Sequence, residues 1–288
     1  MDEQTALGLI GDRVTAAGDD CAVLDGQVIT TDMLHERTDF PAGTTRYTAG
    51  WRAVGASLSD VAAMGAEATA AVAVYAAPEF DDTELGDFLD GATAVCEAVG
   101  AEYVGGDLDG HDEFTVATTA LGETDAPVRR TGAEPGDALC VTGTLGRTAA
   151  AIRLFDRGDL ERANELFRFE PRVAAGRALA PSASAMLDSS DGLARSVHQL
   201  TEASDCGAAL AGSLPLDERV DAVAEDAADR RELGVFFGED FELVCAIPEP
   251  DLAAAQDATP CPLHRVGTVT ESGVTLGGEL LPDRGYSH

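Results

Sequence analysis

Six short aspartate motifs carry the chemistry that this sequence offers: Gly18-Asp19-Asp20, Thr30-Thr31-Asp32, Leu58-Ser59-Asp60, Gly105-Gly106-Asp107, Asp188-Ser189-Ser190-Asp191 and Gly238-Glu239-Asp240. Each stands beside Gly, Ser or Thr, and most follow an apolar run, the setting that holds carboxylates at strand ends and tight turns. Clustered hard oxygens suit Mg²⁺, which keeps several waters and bridges protein carboxylates to substrate phosphates. Thr30 and Thr31 would add hydroxyl or carbonyl oxygens. Two or more ions could then neutralise a transferring phosphoryl group. Taken singly, each aspartate reads as a turn residue or helix N-cap, Asp107 and Asp191 above all. Six with the same punctuation point instead to a metal cage.

The charge balance narrows the choice. The 288 residues hold 52 acids against 19 bases, a formal net charge of −33, and every base is an arginine. Without lysine there is no Walker A loop. A polyphosphate can be met only by arginine, backbone N–H groups or bound metal. The segment Gly143-Thr144-Leu145-Gly146 could cradle a phosphate on free N–H groups; a plain strand-to-helix turn capped by Thr144 explains it as well. Nucleic acid and anionic membrane are disfavoured as partners by this field. The acids are spread over an otherwise periodic sequence, which points to a folded, solvated surface suited to a high-salt cytoplasm. The six cysteines are scattered with no C-x-x-C pair and read as small buried hydrophobes in a reducing compartment. The five histidines lack zinc-site spacing. With no basic leader at Met1-Asp2-Glu3-Gln4 and no long apolar run, the expected location is the cytoplasm.

Elements must position these motifs. A short helix is expected over residues 2–13 and a hairpin over 21–31, turning at Asp25-Gly26. Helical periodicity covers 45–65 and 82–99. Strands are expected over 70–75, 102–104 and 114–121. The stretch 129–137, with Pro135-Gly136, reads as a boundary between a unit of residues 1–135 and one of residues 136–288. Beyond it, strands fall at 138–142, 185–187, 207–211, 241–247, 263–269 and 274–281. Helices fall after Gly146 and over 161–180, 193–203, 217–231 and 249–257. The mixture predicts two α/β or α+β units. Trp51 falls on the apolar face of its helix, as core.

The motifs also carry a resemblance. GDDCAVL (18–24), TTDML (30–34), LSDVAAMGA (58–66), GGD (105–107), RTGAEPGD (130–137), VTGTLG (141–146), LDSSDGL (187–193) and GEDFEL (238–243) stand in the order found in thiamine-monophosphate kinases. The chain is similar to that family, which belongs with aminoimidazole ribonucleotide synthetase and selenophosphate synthetase. TTDML with LSDVAAMGA resembles the thiamine-monophosphate enzymes over these relatives, and the absent lysine separates it from selenophosphate synthetase. Arg37-Thr38-Asp39-Phe40 looks like the archaeal branch.

The resemblance implies a two-domain aminoimidazole ribonucleotide synthetase-like fold: an N-terminal mixed sheet with helices, then a C-terminal α/β domain. It implies a homodimer formed through the N-terminal sheets, and ATP with several Mg²⁺ between the domains. By matched position, Asp20, Thr30, Thr31, Asp32, Asp60, Asp107, Asp188 and Asp191 would be metal ligands. Gly106, Asp107, Arg130 and Ser190 would contact ATP, and Asp39 and Glu239 the substrate. Asp32, Asp60 and Arg130 would carry the transfer to thiamine monophosphate. Phe237, where the family often has Gly, and Asp283, near a position where some members place an aromatic, depart from the pattern; Tyr286 is close by. Another acceptor in the same superfamily, or a non-catalytic nucleotide- or metal-binding protein, are the alternative readings.

Overall fold

The computed structural model describes residues 9–11, 13, 14 and 16–285. The helix expected over 2–13 and Tyr286 lie for the most part outside them. The hairpin forms as expected. β1 (Ala22–Leu24) and β2 (Gln27–His35) pair through an Asp25-Gly26 turn with φ of 50° and 84°, the mirror-image turn that matches strand twist. A four-residue turn of helix, α1 (Glu36–Asp39), then leads to α2 (Arg46–Ala63), β3 (Glu67–Ala77), α3 (Asp82–Val99), β4 (Glu102–Gly110) and β5 (Thr115–Glu123). These strands make one sheet in the order β1-β2-β5-β3-β4, antiparallel except for the β3–β4 pair. β4 runs straight through Gly105-Gly106-Asp107, where the sequence predicts only a short strand before the glycines.

The second sheet is built from β6 (Ala138–Thr142), β7 (Ala185–Asp188), β8 (Gly207–Leu210), β9 (Leu243–Ile247), β10 (Leu263–Thr270), β11 (Val274–Leu276) and β12 (Glu279–Leu280). Its order is β12-β11-β8-β10-β6-β9-β7. The continuous strand expected over 274–281 is instead a hairpin, broken at Gly277-Gly278. The accompanying helices are α4 (Arg147–Asp156), α5 (Leu160–Phe167), α6 (Val173–Leu179), α7 (Leu193–Ala203), α8 (Glu218–Val223), α9 (Ala227–Val235) and α10 (Leu252–Ala258). Two helices expected to be continuous are each split in two. Pro171 lies in the break between α5 and α6, since its ring cannot continue the ladder. Asp226 restarts the other by accepting from the N–H groups of Ala228 and Asp229.

Helix α2 is the axle of the molecule. Its Ala-, Gly- and Ser-rich sequence lets three neighbours approach closely, and most of its residues are buried. It packs on the first sheet, against α3 and against α6 and β7 of the second unit. A methyl group on Gly91 would overlap the Tyr47 carbonyl and one on Gly50 the Phe88 carbonyl, so α2 and α3 meet backbone to backbone. Side chains from both units pack into a shared core. Four of the six cysteines are buried and all are unpaired thiols.

Candidate metal and phosphate site

Alternation along β2 decides which side chains reach α2. Even-numbered residues face the helix and odd-numbered ones face away. Thr30 Oγ1 donates to Asp60 Oδ2 on α2 (2.6 Å), and Ser57 Oγ of α2 donates to Asp32 Oδ2 (2.7 Å). From the second unit, Asp188 at the end of β7 accepts from Ser59 Oγ of α2 (2.7 Å). Asp20, in the loop before β1, accepts from Arg130 Nη2 (2.9 Å). One carboxylate oxygen each from Asp20, Asp60 and Asp188 lies within 4.8 Å of the other two. Four separate elements therefore converge on one acidic centre.

That centre is electrostatically unfinished. Burial holds the carboxyl groups of Asp20, Asp32, Asp60 and Asp188 above the ordinary carboxylate range. Asp20 is pushed up to about 6, with Arg130 pulling the other way. Asp188 is pushed up to about 8, burial first and then the Asp20 charge. Asp60 is raised by burial and then by Asp32, Asp188 and Asp20. Asp20 Oδ2 is buried with no hydrogen-bond partner among the described residues. Such an oxygen is expensive to leave alone, and a hard divalent cation would satisfy it. The donor set, carboxylates with a threonine hydroxyl beside them, fits Mg²⁺. Buried Cys21 is no competing thiolate there, because burial and then Asp60 raise its pKa. His198, Glu202 and Asp283 also lie close together, with Asp283 paired to Arg195 at 2.5 Å.

Other expected residues fall elsewhere. Thr31, on the opposite face of β2, donates to the Thr118 carbonyl (2.7 Å). Asp32, Thr118, Ala73 and Gly106 lie in one row across the sheet. Gly106 is thus three strand spacings, about 14 Å, from Asp32. Gly106 has φ 159°, and a methyl group there would overlap the Ala73 carbonyl. Asp107, exposed on that edge strand, is in register with Val74 on the outer face. Asp39 is buried and accepts from His35 N (2.6 Å) and Thr38 Oγ1 (2.8 Å), locking the turn after β2. Asp191 is half-buried in the 188–192 loop, outside the three-carboxylate group. The Ser190 carbonyl accepts from Glu239 N at 2.5 Å.

Glu239 is buried and its Oε2 accepts from Arg52 Nη2 (3.1 Å). Arg52, itself buried on α2, stacks 3.7 Å over the Phe167 ring. The Gly143–Gly146 turn is not an open phosphate cradle. Gly146 N–H donates to Asp240 Oδ2 (2.5 Å) and Thr148 N–H to Asp240 Oδ1 (2.9 Å), so the start of α4 is capped by a carboxylate of this chain. Thr144 donates to Asp217 instead of capping. Sequence reading gives Ser57, Ser59 and Asp240 no such roles. The hints are that Ser59 and Asp240 stand in two of the aspartate motifs and that Ser57 directly precedes one of them.

AIR synthase related protein, N-terminal domain, matches residues 18–124, and the corresponding C-terminal domain matches 134–277. The thiamine-monophosphate kinase of Halobacterium salinarum is 62% identical over 100% of both chains. That of Methanospirillum hungatei is 42% identical over 94% of this chain and 92% of its own. The solved structure of AaThiL complexed with AMPPCP and TMP superposes with a TM-score of 0.88 at 26% identity, covering 99% of this chain and 96% of the other.

Proposed function

Since the chain belongs to the thiamine-monophosphate kinase family of AIR synthase related proteins, we propose that its acidic centre serves transfer of a phosphoryl group from ATP to thiamine monophosphate, giving thiamine diphosphate. The observation that carries the reading is the convergence of Asp20, Asp60 and Asp188, with a buried carboxylate oxygen left unsatisfied beside Arg130. The acceptor is a phosphate monoester, largely dianionic near neutral pH. It needs no general base. What limits the reaction is bringing two polyanions into line.

Asp20, Asp32, Asp60 and Asp188 would hold Mg²⁺, which supplies positive charge to the phosphates. The chain's own residues do the positioning. Ser57, Ser59 and Thr30 each donate to one carboxylate and so fix which oxygens face inward. Arg130, clamped against Asp19 and Asp20, sets a cation at the rim. In this division, residues 1–135 form the ATP- and Mg²⁺-binding unit and residues 136–288 the second unit, with Asp188 completing the centre from across the boundary.

For the base of ATP, the support is a cavity of about 360 Å³ beside Gly106. Tyr75, Leu85, Phe88 and Tyr103 line it, and the buried Tyr75 hydroxyl has no partner among the described residues. Planar apolar walls with one unsatisfied polar group suit a heteroaromatic ring. Because Gly106 and Asp107 stand apart from the carboxylates, they enter the chemistry as nucleotide contacts or through a second copy of the chain. Glu239 is neutralised by Arg52, so its effect on substrate runs through the shape of the 238–241 loop, where Glu239 and Phe241 have φ of 58° and 54°.

Incubation with ATP, Mg²⁺ and thiamine monophosphate should yield thiamine diphosphate. Asp32→Asn should lower kcat on the order of a hundredfold or more, with the circular dichroism melt retained. An Asp32→Asn protein as active as the parent would remove Asp32 from the centre. Turnover of ATP only with a different acceptor would move the chain to another activity of the superfamily.

A further inference from the structure

A second cavity, of about 360 Å³, opens on the far unit between α4, α5 and α8. Its lining reverses the charge of the molecule. Arg147, Arg157, Arg162 and Arg219 surround it, with Glu165 the one acid among the described lining residues. The chain as a whole has 52 acids to 19 bases, so a random patch of this size would be acidic. The arrangement follows from helical spacing. Arg147, Leu154 and Arg157 fall on one side of α4 and its C-cap, Arg162 and Glu165 on one side of α5, and Arg219 and Val223 on one side of α8.

Two of these arginines lack an acidic partner among the described residues. Arg147 donates only to the carbonyls of Leu166 (3.0 Å) and Arg168 (2.8 Å), at the end of α5. Arg157 donates to the carbonyls of Val223 (2.9 Å) and Ala222 (3.5 Å), at the end of α8. Helix ends carry about half a charge, which leaves each guanidinium only partly compensated. Capping explains one arginine per helix end. It does not explain why Arg162 and Arg219, held by Asp159 and Asp217, border the same hollow. Arg147 sits below its ordinary pKa, burial first and then the like charge of Arg219.

We propose that this cavity is an anion site separate from the acidic centre, and that it takes a phosphate-bearing organic molecule of the nucleoside diphosphate class. Guanidinium forks match phosphate oxygens two at a time. The apolar floor of Ala150, Leu154 and Val223 offers a surface for an organic group.

The test uses ADP as probe in EDTA, where the acidic centre carries no metal and repels a polyanion. Calorimetric titration of the full chain should show saturable binding. Arg162→Gln with Arg219→Gln changes two exposed residues that bond no helix-end carbonyl. The pair should weaken that binding at least tenfold, while the thermal melt and the kcat for thiamine diphosphate stay at parental values. Arg157→Gln alone should weaken it as well. No saturable binding by the parent, or equal binding by parent and both variants, overturns the proposal.

Discussion

Asp20, Asp60 and Asp188 bring their charges together out of water, an arrangement that is unfavourable in the absence of a counter-ion. Protons can serve as that counter-ion. In the unfolded chain these carboxyls ionise near 4; folded, Asp20 does so at about 6 and Asp188 at about 8. Between those limits the folded state holds more protons than the unfolded one, so stability falls as pH rises from 4 to 8. A tenfold difference in proton affinity between the two states is worth about 1.4 kcal/mol. The metal-free protein should therefore lose stability across this window, with Asp20 and Asp188 both contributing. Urea melts in EDTA read the total. Asp188→Asn should flatten the slope and raise metal-free stability at pH 8, because a neutral amide replaces a repelled carboxylate. Saturating Mg²⁺ should flatten the parent's slope and change the variant's less. A variant slope as steep as the parent's would place the proton uptake elsewhere. Activity should move oppositely to stability, with Asp188→Asn losing most of its kcat.

Elements set how far apart these residues can be in sequence and still meet. The α2–α3 contact depends on Gly50 and Gly91, each facing a carbonyl of the other helix. Gly91→Ala should cost about 1–3 kcal/mol by overpacking, with a loss of activity because α2 carries Ser57, Ser59 and Asp60. The check is a chemical melt beside a kcat measurement; unchanged stability would mean that the helices can separate without strain. Much of this frame is legible in the sequence, and for local reasons. The Asp25-Gly26 hairpin, the periodic α2 and α3 and the strand before Gly143 each announce themselves within a dozen residues. So do Asp20, Asp32, Asp60 and Asp188 as motif residues, although Asp32 lies in the middle of β2 and not at a strand end. What stays hidden is non-local. Nothing near Gly146 says that Asp240 caps it from 94 positions away. Nothing near Glu239 shows that Arg52 neutralises it. Thr31 differs from Thr30 only by one step of alternation, a distinction invisible until the facing helix is known. The splits at Pro171 and near Glu225 escape a periodicity reading because the apolar period continues across both breaks while the backbone does not.

At the scale of the whole molecule, a formal charge of −33 opposes both compaction and self-association. Nevertheless the outer face of the first sheet is left largely uncharged. Met33 is 61% exposed and Val74 38%, with Val104 also exposed on the edge strand β4. We propose that a homodimer would use this face, with the two first sheets packed on each other and Asp107 at its margin. Burying it removes apolar area from water, a gain of roughly 25 cal/mol per Å² that salt does not weaken. The opposing repulsion between two acidic bodies is screened, with a Debye length near 10 Å at 0.1 M salt and about 3 Å at 1 M. Association should therefore strengthen with salt, the reverse of what an interface held by ion pairs would do. Sedimentation should find a dimer in molar KCl and a growing monomer fraction in dilute buffer. Thermal stability should fall along with it. Met33→Asp with Val74→Asp places two charges in the apolar face and should give a monomer at both salts, folded by circular dichroism. If the parent is monomeric in molar KCl, or the double variant still dimerises there, this sheet face is not the interface. If the dimer persists but weakens as salt rises, charge pairing and not apolar burial holds the copies together.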